Sequence, residues 1–215
     1  MTLNDALSIL QGAGATLTLS ILGILLGLPI GLALAIVRWA RVPLLARIVG
    51  LYVSLLRATP LVTLLLLLFF ALPSIGVPIG PYSAAILALV MNTSAFNCEV
   101  WRASLLAFPK DQYEAAQSVG MGAALRFRRI LLPQIVRASL PGLVNEMSML
   151  IKVTPVLAVV GVVDITRAAQ RVGADTYEPL PPYFVALAIY VPIVFAFLTL
   201  QRWLERRQSS ARLSS

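Results

Sequence analysis

The stretch Pro109 to Pro133, PKDQYEAAQSVGMGAALRFRRILLP, is the longest polar interruption in an otherwise apolar chain. Asp111 is placed to cap a first short helix running through Gln112, Tyr113, Glu114, Ala115, Ala116 and Val119, and the helix dipole favours acidic residues near its start. Gly120 and Gly122 supply the backbone freedom for a turn. A second segment, Ala123 to Leu132, carries Arg126, Arg128 and Arg129 among apolar neighbours, and Pro133 is expected to begin a new element. Small residues at 115, 116, 120 and 122 leave room for another surface to come close. On charge pattern alone the stretch fits a basic amphipathic loop on anionic lipid headgroups.

The rest of the chain is built for a bilayer. Of 215 residues, 59% are hydrophobic and only 12% charged, which suits a polytopic membrane protein rather than a soluble core. The net charge of +8 would suggest nucleic acid on a soluble protein, but the basic residues cluster in short loops. There is no aromatic–basic interleaving, so no nucleic-acid partner is expected. Cys98 is the only cysteine and histidine is absent, which excludes an internal disulfide and argues against a metal centre. Met1 to Asp5 has no positive n-region, so no cleavable signal peptide is expected.

Five apolar spans follow in order. Leu17 to Val37 is long enough to cross a hydrocarbon core of about 30 Å. Gly23, Gly27 and Gly31 recur on one face of it and permit close approach of another helix. Ile48 to Leu72 is interrupted by Arg57 and Pro60, giving an interfacial amphipathic helix and then a span from near Pro60. An uncharged Pro- and Gly-rich loop, residues 73–81, leads to a third span from Tyr82 to Cys98. A fourth, about Leu140 to Val163, carries Glu146 and Lys152. Asp164 to Pro182 is a mixed-charge connection with a short helix over Ile165 to Val172. The fifth span is Tyr183 to Leu204. The whole reads as one membrane domain with its core over about 14–204, a polar loop at 109–133 and a flexible tail at 205–215.

Lys and Arg fall mostly on one side. Arg38, Arg41 and Arg47, the basic residues from Arg102 to Arg137, and Arg202, Arg206, Arg207 and Arg212 share it, against Arg167 and Arg171 on the other. The positive-inside rule then puts the polar stretch and the C-terminus in the cytoplasm and Met1 outside.

With the spans drawn, the spacing within the polar stretch takes on meaning. Glu114-Ala115-Ala116, three residues, Gly120, nine residues and Ile130-Leu131-Leu132-Pro133 resemble the cytoplasmic coupling loop of ABC importer permeases. Tyr52 to Pro60, YVSLLRATP, is similar to the Y-V-E-L-x-R-G-T-P segment of polar amino acid permeases, with Ala58 for the usual Gly. Asn92, Ala95, Glu99 and Arg102 match N-x-x-A-x-x-x-E-x-x-R in the same family. Leu132-Pro133-Gln134, Arg137, Leu140-Pro141 and Asn145-Glu146 match it too. In the I-P-K-G-Q-x-E-A-A run, Asp111 replaces Gly. The chain thus resembles, from Gly14 to Arg171, the membrane subunit of histidine/glutamine-type amino acid importers.

That resemblance implies an all-α polytopic membrane protein with five transmembrane helices and the type I ABC importer permease fold. It implies a place in the bacterial inner membrane, and that Glu114, Ala115, Ala116, Gly120, Ile130, Leu132 and Pro133 couple the chain to ATP-binding cassette ATPase subunits. Other implied partners are a second permease subunit, identical or paralogous, an extracytoplasmic substrate-binding protein and a polar amino acid. The family commonly has K-D-T-S or K-N-T-S in the fourth span. Here Lys152-Val153-Thr154-Pro155 stand instead, and Pro155 is expected to break or kink the helix.

A charge at mid-bilayer costs about 2.5 to 3.5 kcal/mol on insertion scales, so each needs a reason. Lys152 and Asn92 fall near the middle of their spans and, with Thr154, are candidates to line a pathway. Lys152 could equally partner Glu146 or Glu99, and Asn92 could serve an interhelical hydrogen bond. Glu99 and Arg102, three apart on one face, suit a structural ion pair. Arg57 can snorkel to the interface. Arg57, Glu99, Arg102 and Glu146 are therefore candidate structural or gating charges. No Gly-rich phosphate loop, triad or carboxylate dyad is discernible, so the chain is not expected to be an enzyme or to bind a cofactor. ATP and Mg would sit on a partner. A stand-alone channel or ion-coupled carrier, and a structural scaffold anchored by its polar loop, are the competing readings.

Overall fold

In the computed structural model, the described residues are 2–40 and 42–213, with side chains as far as residue 207. Met1, Arg41, the side chain of Arg212 and the last two residues lie outside them, and so do the expectations placed on them. The described chain is helical almost throughout. Helix α1 spans Leu3–Trp39, α2 Pro43–Ala58, α3 Leu61–Ser74, α4 Pro81–Leu106 and α5 Lys110–Ser118. α6 (Ala123–Arg126), a π turn (Phe127–Leu131), α7 (Leu132–Val153) and a 3₁₀ stretch (Thr154–Val160) follow one another without a break. α8 (Ile165–Thr176) and α9 (Leu180–Leu213) complete the fold. By length and composition α1, α4, the run Ala123–Val160 and α9 can each cross a membrane. The pair α2–α3, bent by 108° at Thr59–Pro60, makes the fifth span.

α1 begins with a reciprocal cap, in which Asp5 N donates to Thr2 Oγ1 at 3.3 Å and Thr2 N to Asp5 Oδ2 at 2.6 Å. Its glycine stripe meets α4. A methyl group added at Gly27 would lie 2.6 Å from Thr93 Cβ, and one at Gly31 2.9 Å from Asn97 Cβ. One at Gly23 would lie 3.1 Å from Leu89 Cβ. The four-residue rhythm of α1 thus fits the four-residue rhythm 89–93–97 of α4, and the two helices approach closely at three positions over about two turns. Towards its start α1 meets α8 the same way, with a Gly12 Cβ position 2.7 Å from the Asp164 carbonyl oxygen.

Asp164 caps α8, accepting from Arg167 N at 2.8 Å, and accepts from Tyr190 Oη of α9 at 3.3 Å. The residue is fully buried, and burial pushes its carboxyl up from the usual range despite these donors. Ile165 N donates to Thr16 Oγ1 at 3.3 Å, which ties α8 to α1.

Several boundaries differ from expectation. The segment after Gly122 is not a separate short helix ended by Pro133, but the start of the fourth span. The π turn absorbs the proline: Leu132 N reaches back to Phe127 O, and Pro133, which has no N–H to give, follows in the first turn of α7. Asp111 is not a cap; Pro109 occupies that position, and Asp111 lies in the first turn of α5, where the dipole still favours it. The expected effect of Pro155 is seen as a change of helix type: α7 ends at Val153 and the chain tightens to 3₁₀ until Gly161, at φ +93°. At the other end, α9 remains helical past residue 205.

Candidate functional site

The break between α2 and α3 opens a cavity. Its volume is about 560 Å³, and its walls come from the break itself (Arg57 to Leu61), from α4 (Asn92, Thr93, Phe96) and from α7 (Asn145, Glu146, Met149, Leu150, Val153). Pro60 causes the opening. It cannot continue α2, so the chain turns and α3 starts afresh with its first N–H groups beside the cavity. The floor and sides are mostly apolar, with a few polar groups converging, the usual composition of a small-molecule site.

Those polar groups are unspent. Glu146 makes no hydrogen bond or ion pair within the described chain, and neither do the side chains of Asn92 and Asn145. Thr93 is 5% exposed, and its Oγ1 has no partner. Arg57 is exposed, with its guanidinium 5.4 Å from the centroid of the Phe96 ring. One cation and one carboxylate therefore share a cavity without being joined.

Asn92 lines this cavity, and Lys152 and Thr154 do not. Lys152 is exposed on the last turn of α7 outside the cavity wall, and it pairs with neither Glu146 nor Glu99. Glu99 is already taken, because Arg102 donates to it from Nη2 at 2.6 Å and Nε at 2.8 Å, and Arg38 reaches its other oxygen from α1. Thr154 is fully buried and donates to Ile151 O at 2.8 Å, so its hydroxyl is used within the chain. Arg38 was missed from sequence because it was counted with the loop, whereas α1 continues to Trp39. Thr93 was missed because a lone threonine in an apolar span carries no signal.

The polar stretch makes a second candidate region. α5 exposes Glu114, Ala115, Gln117 and Ser118, while Ala116 is 6% exposed and packs inward. Ala116 thus packs against its own chain, whereas its neighbours on α5 are exposed. Gly120, at φ +77°, closes α5: its N–H donates to Gln117 O and Met121 N donates to Ala116 O, a Schellman cap. Nothing lies within 4 Å of a Cβ at Gly120, so the demand for glycine there is conformational. Pro133 is exposed, and Ile130 and Leu132 are half-buried.

Comparison with known proteins decides the family. The family model for binding-protein-dependent transport system inner membrane components matches residues 27–210. This chain belongs to that family. It is 35% identical over 193 residues to an L-cystine transport system permease protein of Bacillus subtilis, spanning 89% of this chain and 82% of that one. It is 33% identical over 203 residues to an arginine transport system permease protein of the same organism, spanning 94% and 93%. A chain in the crystal structure of an amino acid ABC transporter with histidines superposes with TM-score 0.87 at 31% identity, covering 96% of this chain and all of the other. An inward-facing methionine ABC transporter gives TM-score 0.77 at 20% identity, a likeness of fold. The all-helical, five-span architecture is that of type I ABC importer permeases. The stand-alone channel and scaffold readings are not favoured.

Proposed function

We propose that this permease subunit carries an amino acid inward through the cavity at the α2–α3 break, driven by ATP hydrolysed on separate subunits. The observation that carries the reading is the unpaired placement of Arg57 and Glu146 in one cavity. An amino acid is a zwitterion, with a carboxylate and an ammonium on one carbon. Arg57 and the first N–H groups of α3 offer positive potential to the carboxylate, and Glu146 offers a partner to the ammonium. Asn92, Asn145 and Thr93 supply further hydrogen bonds, while Phe96, Met149, Leu150 and Val153 leave an apolar surface for the side chain. Held apart, the two charges cost several kcal/mol inside a membrane; a bound zwitterion offsets part of that. Relatives named for cystine and arginine transport support the class of substrate.

The remaining assignments belong to the same proposal. Glu114, Ala115 and the Gly120 turn form the surface presented to the ATPase, with Ile130, Leu132 and Pro133 behind it. ATP and Mg stay on that partner, and this chain holds no cofactor. A second permease copy or paralogue completes the pathway, and an extracytoplasmic binding protein delivers the substrate. Lys152, exposed and unpaired, faces out of the chain towards that second subunit. The N-terminus is outside and the C-terminus cytoplasmic, by the Lys and Arg asymmetry. Thr154 is retained in the pathway only as a support for the end of α7.

Uptake of a panel of labelled amino acids, in cells with and without this chain, tests the reading. Chain-dependent, ATP-dependent uptake of at least one α-amino acid is expected, with the matching amine and the matching carboxylic acid alone failing to compete. Uptake that survives removal of ATP, or competition by either half-molecule as strong as by the amino acid, would overturn it.

A further inference from the structure

The short helix α5 is not left hanging between α4 and α6; it is gripped from one side at two points. The Arg126 guanidinium lies 4.5 Å from the centroid of the Tyr113 ring, and Arg126 Nη2 donates to Tyr113 Oη at 3.2 Å. Gln134 Nε2 donates to Gln112 Oε1 at 2.8 Å. Both grips start on neighbouring residues of α5 and end on the fourth span, at positions eight residues apart.

In a regular α-helix, residues eight apart point about 80° away from each other, so they would not both face α5. The π turn Phe127–Leu131 lies between them. A π turn takes up one extra residue, so eight residues advance the face roughly as seven do otherwise, and seven come back to within about 20°. The π turn thus puts Arg126 and Gln134 on one face. Beyond Gln134 the helix runs unbroken to Asn145, Glu146, Met149 and Val153, the α7 wall of the cavity. Asn145 lies about 16 Å up the same rod.

The geometry points to a two-point clamp, Tyr113–Arg126 and Gln112–Gln134 registered by the π turn, that makes α5 and α7 one rigid lever moving the Glu146 wall of the cavity. This rests on the reading that α5 docks on the ATPase. The four residues are positioning residues and touch no substrate. Among the described residues no side-chain hydrogen bond joins α4 to α5, although Leu105 and Leu106 border one pocket with Tyr113 and Glu114. Through these two grips on α5 motor movement reaches the α7 wall of the cavity directly.

The test uses the whole complex in proteoliposomes, with binding protein outside and ATP inside. In a Cys98→Ser background, Gln112→Cys/Gln134→Cys is joined by a reducible bis-thiosulfonate bridge about as long as the two side chains it replaces. The bridged protein is expected to transport within twofold of the same protein unbridged and reduced. A loss of transport on bridging, restored by reduction, would mean that α5 slides on α7 and would overturn the clamp. Conversely, Gln112→Ala/Gln134→Ala with Arg126→Met is expected to keep the ATPase bound and hydrolysing while substrate moved per ATP falls at least tenfold. An unchanged ratio would also overturn it, and the exposed glutamine pair alone serves if the triple variant folds poorly. Gly120→Val separates the two readings: it should release the ATPase by distorting the end of α5. If the ATPase stays bound and fully active there, the docking assignment itself fails, whatever the clamp variants show.

Discussion

Two faces of α4 meet two different worlds. Towards α1 it offers Leu89, Thr93 and Asn97, and α1 replies with Gly23, Gly27 and Gly31, so that backbones approach until no methyl group fits. Towards α7 and the α2–α3 break the same helix offers Asn92, Thr93 and Phe96 to an open cavity, in which Asn92, Thr93, Asn145 and Glu146 have no side-chain hydrogen bond among the described residues. Thr93 belongs to both. One turn of helix is thus enough to pass from a seam that is full to a space that is waiting. Packing without room cannot rearrange in small steps, whereas a cavity with unspent hydrogen-bonding groups has something to gain from an occupant. The α1–α4 pair is a closed frame, and the α2–α3 break opens the cavity beside it.

The contrast can be broken most severely at the seam. Gly27→Val places branched atoms where Thr93 Cβ is already 2.6 Å from the first added carbon, and neither helix backbone can yield locally. A cost of about 3 kcal/mol or more is expected for overpacking of this kind. Loss of nearly all folded protein, measured as the monodisperse fraction in detergent, should follow. Gly14→Ala, where nothing lies within 4 Å, should be silent in the same assay. Equal yields for the two variants would show that the seam is loose.

At the cavity the expected signature is reversed. Glu146→Gln keeps the shape and removes a carboxylate that has no ion pair. Uptake should fall ten- to a hundredfold, while the thermal midpoint of the purified protein stays the same or rises, because a half-buried carboxylate without an ion pair is removed. A drop in midpoint with uptake retained would make Glu146 part of the frame and erase the distinction.

Much of this was legible in the sequence, and the reasons for the gaps are physical. The glycine rhythm of α1, the break at Pro60 and the change of helix at Pro155 are local backbone effects, and residue type alone announces them. The Glu99–Arg102 pair was legible for the same reason, being three apart on one helix. What sequence spacing could not give was anything set by two elements at once. Arg38 joins Glu99 across α1 and α4, and Arg126 meets Tyr113 across the Gly120 turn. The continuity of the helix through Pro133 depends on a π turn, for which the residues carry no mark. Ala116 looked like surface because its neighbours are; only the side on which α5 rests decides that it is buried. Of the three pathway candidates, Asn92 reached the cavity, because depth in a span can be counted whereas facing cannot.

Lys152 sets the finest test, since it belongs to neither region. Its ammonium is exposed, it has no partner within the described chain, and it stands at the end of α7, where the helix tightens to 3₁₀. A charge at mid-bilayer costs about 2.5 to 3.5 kcal/mol, and nothing within the described chain offsets it. It lies outside the wall that Val153 joins, so the charge is near the cavity without lining it. Lys152→Met should therefore leave folding yield unchanged and slow uptake only about three- to tenfold. The loss should be greatest for acidic substrates, which a nearby cation attracts before they enter. Salt should narrow the gap between variant and parent, because an exposed charge is screened within about 10 Å at 0.1 M ionic strength. Normal rates and unchanged selectivity in a well-expressed Lys152→Met protein would reduce Lys152 to a helix-end charge and leave the pathway to Arg57, Asn92 and Glu146.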